Sequence, residues 1–567
     1  MKKIISILLS AAILISVLAI GFTVSAAEEE FKIAVASDLH YNLPSEELEV
    51  IIEGDDIYWY ANRRAAMEDE SGFIIDEMLR QVAEDDDCEY LLISGDLVDN
   101  GRIIEQEHLD VAAKLKKFEE ESGKPVYVIP GNHDFGAGEN DFKIADFVEV
   151  YADFGYNEAL EKVEGTGSYT ANLGEKYRLI AFDSNDPTKS TEDGVTNDEI
   201  EWVCAQADKA YADGRYPILM MHHNLLDHMP AQSIFSGSFI IGNHYSVAEK
   251  FANHGIKTVF TGHEHCSDVA TYTSFKGNKI YDFATTSLTM YPLQYRMITY
   301  TEDKITYEAK TVDKIDTDAL TATVKGFTQE QIDLMNAGLN DYAKGFLKAG
   351  VQYRLWLGMT PEKLGIDEDA FYADLVFTAV NGLTSILEMP LYGEGGVQEL
   401  AKEYNIVIPD SEFETGWDLA TELVAAHYEG EEAYDLYGTE VAILLRTVGL
   451  ILFDDLSTVN DEIFFKAANT IFSYFGTDSI VKDLTKYATS VLGPVTMGEY
   501  LLLAIASPIL YEFAYDSDGV NDNNGELEGY GTETEMLPNL TDKFSNIFDK
   551  IMLYLNMFIT IVSKIFK

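Results

Sequence analysis

The sequence has few cysteines and few basic residues, and its one long apolar run stands at the N-terminus. Three cysteines in 567 residues exclude a fold held together by disulfides. Only 40 lysines and arginines stand against 97 acidic residues, which gives a formal net charge of -57. Such a surface repels polyphosphate backbones, so we expect no long nucleic acid as a partner. The 47% of hydrophobic residues is enough for a packed core and for two domains.

The N-terminus has the pattern of a secretory signal peptide. Lys2 and Lys3 precede an apolar run over residues 4–20, and the small residues Ser25, Ala26 and Ala27 follow. We expect cleavage after Ala26 and therefore a secreted protein. The alternative is an uncleaved membrane anchor, because the run is only just shorter than a span.

Between residues 31 and 313, apolar strand-like runs alternate with helical periodicity, which predicts an α/β fold. The predicted strands cover residues 32–36, 90–94, 126–130, 177–183, 216–222 and 257–261. The predicted helices cover residues 73–83, 103–121, 198–212 and 247–254. Residues 268–313 switch to period-two alternation around a Lys276-Gly277-Asn278 turn, which predicts antiparallel strands.

These patterns divide the chain into five parts: a signal peptide (1–26), the α/β domain (27–313), a helical domain (314–515), an acidic linker (516–540) and an amphipathic C-terminal helix (541–567). In the helical domain, apolar residues recur at helical spacing over residues 328–347, 371–388, 416–427, 439–453, 460–475 and 496–513. None of these runs has the uninterrupted apolar stretch of a membrane span. The C-terminal helix would lie on a membrane surface, associating the protein with the cell surface, or dock onto a partner. Packing against its own helical domain is the alternative.

A long segment, residues 41–72, separates the first predicted strand from the first helix. Loops of this length in compact domains are usually functional or mobile. Tyr58, Arg63 and Arg64 predict a lid that offers aromatic and cationic contacts to a substrate. A surface excursion packed by its own aromatic side chains is the alternative.

Five short motifs follow apolar, strand-like runs, and open α/β sheets carry their ligand sites at the carboxyl ends of strands. They are Asp38-Leu39-His40, Gly95-Asp96, Gly131-Asn132-His133-Asp134, His222-His223 and Gly262-His263-Glu264-His265. Any one of them alone would be an ordinary turn. However, they contain six of the chain's 11 histidines, and all six precede the helical domain. Together the motifs predict a metal site.

The ligand-type residues are too many for one ion and divide naturally between two. We assign Asp38, His40 and His265 to one ion and Asn132, His222 and His263 to the other, with Asp96 bridging both. Mixed nitrogen and oxygen ligands suit Zn, Fe or Mn rather than Mg or Ca. Cys266 follows the last motif, and we expect it to be a bystander because the imidazoles beside it already fill the ligand role.

In this order, the motifs resemble the calcineurin-like metallophosphoesterase superfamily, and within it the secreted bacterial phosphodiesterase-like and purple acid phosphatase-like branch. The resemblance covers residues 31–313. It implies a four-layer α/β/β/α sandwich that binds two divalent or trivalent ions. It also implies hydrolysis of small phosphomonoesters or phosphodiesters by in-line attack of a metal-bound hydroxide.

The resemblance also implies roles for residues around the ions. His133 is similar to the catalytic histidine of the family, aligned and charged by Asp134, whereas Asp99 and His223 would support the ligands. The family often has proline two residues after the fourth-motif histidine, where Asn224 stands here. This departure leaves open whether His222 or His223 is the ligand, and we favour His222.

Another departure bears on the substrate. Protein Ser/Thr phosphatases of this superfamily carry arginine after the second-motif aspartate, where Asn100 stands here, which argues against a phosphoprotein substrate. Two other functions compete: an inactive surface-binding protein on the same fold, and a phosphodiesterase specific for nucleotides or cyclic nucleotides. Because every ligand position is filled, the inactive protein is disfavoured.

Overall fold

Two β-sheets pack against each other at the centre of the molecule. The computed structural model describes residues 30–44, 65–185, 195–228, 232, 237–358, 385, 387–403, 407, 413–430 and 520–531. The strands are β1 (Phe31–Ala36), β2 (Cys88–Ile93), β3 (Val126–Val128), β4 (Glu161–Lys162), β5 (Tyr169–Leu173), β6 (Tyr177–Phe182), β7 (Tyr216–Met221), β8 (Thr258–Thr261), β9 (Asp268–Thr273), β10 (Lys279–Ala284), β11 (Gln294–Tyr300), β12 (Lys304–Thr311) and β13 (Asn524–Glu528).

The helices of the α/β region are α1 (Ser71–Glu84), α2 (Glu105–Ser122), α3 (Ile144–Val150), α4 (Asn197–Ala212) and α5 (His244–Asn253), with a π-helical turn at Ala152–Tyr156. After it come α6 (Thr317–Thr323), α7 (Gln329–Ala337), α8 (Leu339–Gly358), α9 (Val397–Glu403) and α10 (Gly416–Glu429). The local sequence explains where some of these helices begin and end. Thr196 and Glu199 form a capping box at the start of α4, and Gly123 ends α2 in the left-handed conformation.

The first sheet has the strand order β13-β12-β11-β1-β2-β3, and the second β4-β5-β6-β7-β8-β10-β9. Strands β1, β2 and β3 run parallel in the first sheet, as do β6, β7, β8 and β10 in the second. The carboxyl ends of each parallel set therefore lie at one edge of its sheet. This places the five motifs, which follow β1, β2, β3, β7 and β8, at those edges.

Alternate residues of the second sheet belong to two different cores. In β7, Ile218 and Met220 join the core shared with the first sheet, whereas Leu219 and Met221 pack with α4 and α5. This two-sided burial explains why β7 reads as a continuous apolar run rather than an alternating one. Helix α1 covers β2 on the other sheet. The predicted α/β/β/α layering is confirmed, as are the antiparallel strands after residue 268.

The acidic linker predicted over residues 516–540 is wrong for the part that the structure describes. Residues 524–528 form β13, which pairs antiparallel with β12 and extends the first sheet. The polar composition reflects an edge strand with exposed alternate side chains rather than a solvated linker.

The helical prediction over residues 328–347 is corrected to two helices, α7 and α8, separated at Gly338. Within the described residues, no helix is both long enough and apolar enough to cross a bilayer. The predicted signal peptide (1–26), the lid residues Tyr58, Arg63 and Arg64, residues 439–513 and the C-terminal helix (541–567) lie outside the described residues, as does most of the run 371–388.

Candidate metal centre

Backbone hydrogen bonds hold the motif loops together at the carboxyl edges of the two sheets. The amide of Asp38 donates to the Gly95 carbonyl at 3.0 Å, and that of His40 to the Asp96 carbonyl at 3.0 Å. On the second sheet, the Gly262 amide donates to the His222 carbonyl at 3.0 Å. Within each sheet, the motif loops are therefore held against one another next to the ligand side chains.

The structure brings Asp38, His40 and His265 together as one group of ligand atoms. The Nε2 atom of His265 lies 3.1 Å from Asp38 Oδ1 and 3.2 Å from His40 Nε2. The other carboxylate oxygen of Asp38 accepts hydrogen bonds from Ser37 Oγ and from the His263 amide, so Oδ1 is the atom aimed at the group. This is the set that the sequence assigned to one ion.

A second group joins Asp96, His222 and His263, with Asn132 beside them. The Nε2 atom of His222 is 3.0 Å from Asn132 Oδ1 and 3.4 Å from Asp96 Oδ2. The opposite ring nitrogen, Nδ1, donates to the Ser94 carbonyl at 2.9 Å, which turns Nε2 toward Asn132 and Asp96, where it would act as a ligand. These are the residues assigned to the other ion.

Asp96 stands between the two groups. Its Oδ1 accepts a hydrogen bond from the His133 amide at 2.7 Å. Its Oδ2 is buried without a hydrogen-bond partner, 3.4 Å from His222 Nε2 and 3.7 Å from His40 Nε2. A buried carboxylate oxygen is rarely left unpaired. A charged atom in this position, amid nitrogen and oxygen donors, fits a ligand shared by two metal ions.

Strained backbone is concentrated in the same residues. Eight non-glycine residues among those described have positive φ, and five are predicted ligands: Asp38, His40, Asp96, His263 and His265. Each such conformation costs roughly 1–3 kcal/mol and persists only where the surrounding structure enforces it. These backbone conformations allow several side chains from short loops to point toward one site.

Two motif glycines are required by close approach. A Cβ atom on Gly131 would lie 2.1 Å from Asp96 Oδ1, and one on Gly262 would lie 2.2 Å from Asp38 Oδ2. Any side chain there would displace a predicted ligand. These contacts explain why the third and fifth motifs begin with glycine.

Carboxylates and imidazoles shift one another's pKa values strongly in this buried site. Burial alone would raise the pKa of Asp38, but the imidazoles of His265 and His40 hold it well below its ordinary value. Burial opposes protonation of His40, yet its hydrogen bonds with Asp38 and Asp99 raise its pKa to about 10. For His222, the Asp96 carboxylate outweighs burial and raises the pKa to about 9. The carboxylates thus form a centre that attracts positive charge, as a metal site requires.

Residues 31–267 match the family model of the calcineurin-like phosphoesterases. These residues are a calcineurin-like phosphoesterase domain. The resemblance, expected over residues 31–313, is confirmed over residues 31–267, and this domain is that of a metal-dependent phosphoesterase. A comparison with curated proteins gives no match.

Solved structures similar to the chain include phosphatases and a related hydrolase. A dimetal phosphatase from Danio rerio is 12% identical, with a TM-score of 0.36, and the match covers 50% of this chain and 96% of that one. A purple acid phosphatase from yellow lupin (Lupinus luteus) seeds is 10% identical, with a TM-score of 0.34, over 53% of this chain and 57% of that one. The phosphopantetheinyl hydrolase from Mycobacterium tuberculosis is 12% identical, with a TM-score of 0.26, and the match covers 45% of this chain and 90% of that one.

In the phosphoesterase domain, His133 lies beside the ligand groups, but its predicted partner is corrected. Both Asp134 oxygens accept hydrogen bonds from backbone amides, of Gly131 at 2.7 Å and of Val98 at 3.2 Å. The Nδ1 atom of His133 instead donates to the Asp99 carbonyl at 2.8 Å, with Asp99 Oδ1 at 3.6 Å. Asp99 therefore aligns His133, and Asp134 fixes the loop. Burial, followed by the charge of Asp96, raises the pKa of Asp134 well above its ordinary value.

Asp99 also supports a ligand of the phosphoesterase domain, as predicted from its position in the motif. Its Oδ1 accepts a hydrogen bond from His40 Nδ1 at 2.9 Å, which turns His40 Nε2 toward the metal group. His223, predicted to support the ligands, contacts Ser184 Oγ through Nδ1 at 2.9 Å, and its ring packs against that of His263. Burial lowers the pKa of His223 to about 3.

Sequence reasoning missed two residues around the centre. Arg102 donates from Nε and Nη2 to the Asn132 carbonyl, at 2.9 and 2.6 Å, and so fixes the loop that carries Asn132. Glu107 is fully buried and accepts from the amides of Asn100 at 2.8 Å and Leu43 at 3.2 Å. Burial raises the pKa of Glu107 to about 8. The only signal for Glu107 was an acidic residue near the start of α2, where acids are common.

Proposed function

We propose that the protein is an exported, dinuclear-metal-dependent hydrolase of small phosphomonoesters or phosphodiesters. The observation that carries the proposal is the unpaired Asp96 Oδ2 between two ligand groups, 3.4 Å from His222 Nε2 and 3.7 Å from His40 Nε2. When bound, two such ions activate water as the nucleophile and neutralise charge on the phosphate oxygens during an in-line displacement. Asp38, His40 and His265 would hold one ion, Asn132, His222 and His263 the other, and Asp96 both.

His133 is the residue we assign to proton transfer. Because its Nδ1–H donates to the Asp99 carbonyl, its opposite ring nitrogen, Nε2, is the atom that we assign to the substrate. The His133 side chain is 23% exposed, whereas that of Asp99 is 1% exposed. His133 therefore reaches solvent, while its partner Asp99 is buried. In the protonated form, Nε2–H can stabilise charge on a phosphoryl oxygen or protonate the leaving alcohol.

Charge supports a small substrate. The formal net charge of -57 repels long nucleic acids, while the ions would make the centre locally attractive to a single phosphate group. The Asn100 side chain donates hydrogen bonds to Asn42 and Glu107, so it points into the loop. At this position the chain therefore offers no positive charge to a phosphoprotein substrate.

The deciding experiment combines metal analysis with substrate tests on the full chain. We expect about two ions of Zn, Fe or Mn per chain and turnover of a chromogenic phosphodiester or phosphomonoester, tested beside nucleotides and cyclic nucleotides. Asp96→Asn should abolish turnover, because the amide cannot bridge two ions as a carboxylate does. Asp86→Asn, at an exposed position, is the matched control. Full turnover by metal-replete Asp96→Asn would refute the shared-ligand assignment.

Export is supported by the sequence pattern of the first 26 residues alone. We expect the protein recovered outside the cells to begin at Ala27. N-terminal sequencing of the secreted protein tests this, and an intact Met1 on membrane-bound protein would instead support the anchor.

A further inference from the structure

The loop that carries His265 is held by two segments far from it in the chain. Ser267, two residues after His265, donates from its amide to the Tyr428 carbonyl at 3.1 Å. Its hydroxyl donates to Asn523 Oδ1 at 3.0 Å. The contacts therefore come from the carboxyl end of α10 and from the segment 520–531 that contains β13.

The two remote segments also bind each other and the start of β9. Asn523 Nδ2 donates to the Glu429 carbonyl at 2.7 Å, so this one buried side chain links Ser267 to α10. The neighbouring Asp522 Oδ1 accepts from the Val269 amide at 3.0 Å. Asn523 and Asp522 are both buried, which gives these hydrogen bonds little competition from water.

A buried arginine from β11 connects the same elements. Arg296 is 1% exposed and donates from Nη2 to Ser267 Oγ at 2.9 Å and to the Ala284 carbonyl at 2.7 Å. Its Nη1 donates to the Asp522 carbonyl. A buried guanidinium needs several acceptors, and segment 520–531 provides one of them.

This support bears on the metal centre because His263 and His265 both have strained, left-handed backbone, with φ of 66° and 65°. Such conformations persist only where surrounding contacts enforce them. The His263 side of the loop is fixed within the phosphoesterase domain, by the hydrogen bond from its amide to Asp38. On the His265 side, the loop is held by Arg296 of β11 and by two contacts from outside the domain, the Tyr428 carbonyl and the Asn523 side chain.

We propose that segment 520–531, together with the carboxyl end of α10, positions His265 for metal binding. Asn523 is the central positioning residue, and it acts through Ser267 on the backbone that aims the His265 imidazole at Asp38 and His40. The proposal rests on the metal centre described above. It assigns a role in the centre to a part of the chain that lies outside residues 31–267, the extent of the family match.

The test measures Zn²⁺ affinity by equilibrium dialysis in two single-site backgrounds. His222→Ala leaves the Asp38, His40 and His265 group, whereas His40→Ala leaves the Asp96, His222 and His263 group. We expect Asn523→Ala to weaken Zn²⁺ binding by about tenfold in the first background, as the loss of an orienting contact does. In the second background we expect almost no change. Asn524→Ala, at the exposed asparagine next in the chain, should be silent in both.

Equal weakening in both backgrounds would overturn the proposal, because it would mean general loosening of the fold. Unchanged binding in the first background would overturn it as well. If Asn523→Ala fails to fold, Ser267→Ala removes the same hydroxyl contact, while Arg296 Nη2 keeps the Ala284 carbonyl as an acceptor, and it carries the same expectation. Since the readout is metal affinity, failure here is distinguishable from failure of the proposed phosphoester hydrolysis, which is measured by turnover.

Discussion

At the residue scale, three histidines at the centre are oriented by a hydrogen bond of the ring nitrogen Nδ1. For His40 the partner is Asp99 Oδ1, at 2.9 Å, and for His222 it is the Ser94 carbonyl, at 2.9 Å. His133 follows the same rule with the Asp99 carbonyl. In each case Nδ1 is the donor, and Nε2 is the opposite ring nitrogen that we assign to a metal ion or to the substrate.

His133→Ala tests the separation between proton transfer and metal binding. We expect kcat to fall by about 10²-fold or more, because general acid catalysis contributes about 10²–10⁴-fold. Metal content should stay near two ions per chain, as measured by elemental analysis. The partly exposed His254, which pairs with Asp208, provides the control His254→Ala. Loss of an ion from His133→Ala would make His133 a ligand.

The neighbouring histidines of the fourth motif allow a second test. His222→Ala should lose about one ion per chain, since His222 Nε2 faces Asn132 and Asp96. His223→Ala should retain both, because His223 Nδ1 is bonded to Ser184. Elemental analysis after dialysis decides between them. The reverse pattern would show that the departure at Asn224 had moved the ligand by one position.

Residue type and position after a strand predicted a set of ligands whose side chains the structure brings together, because metals select imidazole and carboxylate whatever the fold. It could not predict which acid aligns His133. Asp99 and Asp134 lie on different loops near the same ring, and only the geometry shows that Asp134 is occupied by the Gly131 and Val98 amides.

At the element scale, the parallel strands order the site by bringing loops from both sheets to one edge. The loops then approach one another more closely than side chains allow. Gly131 lies against the Asp96 backbone, where a Cβ atom would come within 2.3 Å of the amide nitrogen. The glycine of the third motif is thus required by packing, just as the ligand residues are required by chemistry.

Gly131→Ala should therefore damage the centre. Because both contacts are with Asp96, we expect loss of about one ion or more per chain and destabilisation of roughly 1–3 kcal/mol in urea unfolding. Gly345 in α8 is the matched control, since a Cβ atom there meets nothing within 4 Å. Gly345→Ala should stabilise the protein by about 0.5–1 kcal/mol through helix propensity. Normal metal content in Gly131→Ala would show that the loops can separate without cost.

Element type was predictable over most of the α/β region because apolar periodicity is long and regular there, although α3 and β5 were not predicted. β13 was not, because its alternate residues are exposed and polar, and its pairing with β12 joins residues more than 200 positions apart. Nothing local in residues 520–531 encodes that pairing. The same long-range contacts then position the loop of His265, which no motif could have indicated.

At the scale of the whole molecule, two fields act on an anionic substrate. The formal net charge of -57 repels it at long range, while the metal centre attracts it only at short range. Salt screens the long-range repulsion by the protein surface more than the short-range attraction by the metal centre. The Debye length falls from about 30 Å at 0.01 M to about 8 Å at 0.15 M. Added salt should therefore help the substrate to approach.

We expect kcat/KM for a charged phosphoester to rise by about twofold or more over this range of salt, with kcat nearly constant, because screening acts on encounter rather than on the bound complex. A monoester dianion should respond more steeply than a diester monoanion, since repulsion scales with substrate charge. Steady-state kinetics at fixed pH and fixed free metal measure both slopes. A flat or falling profile, or equal slopes for the two substrates, would mean that the acidic surface does not face the path of entry and that the local field of the centre governs encounter.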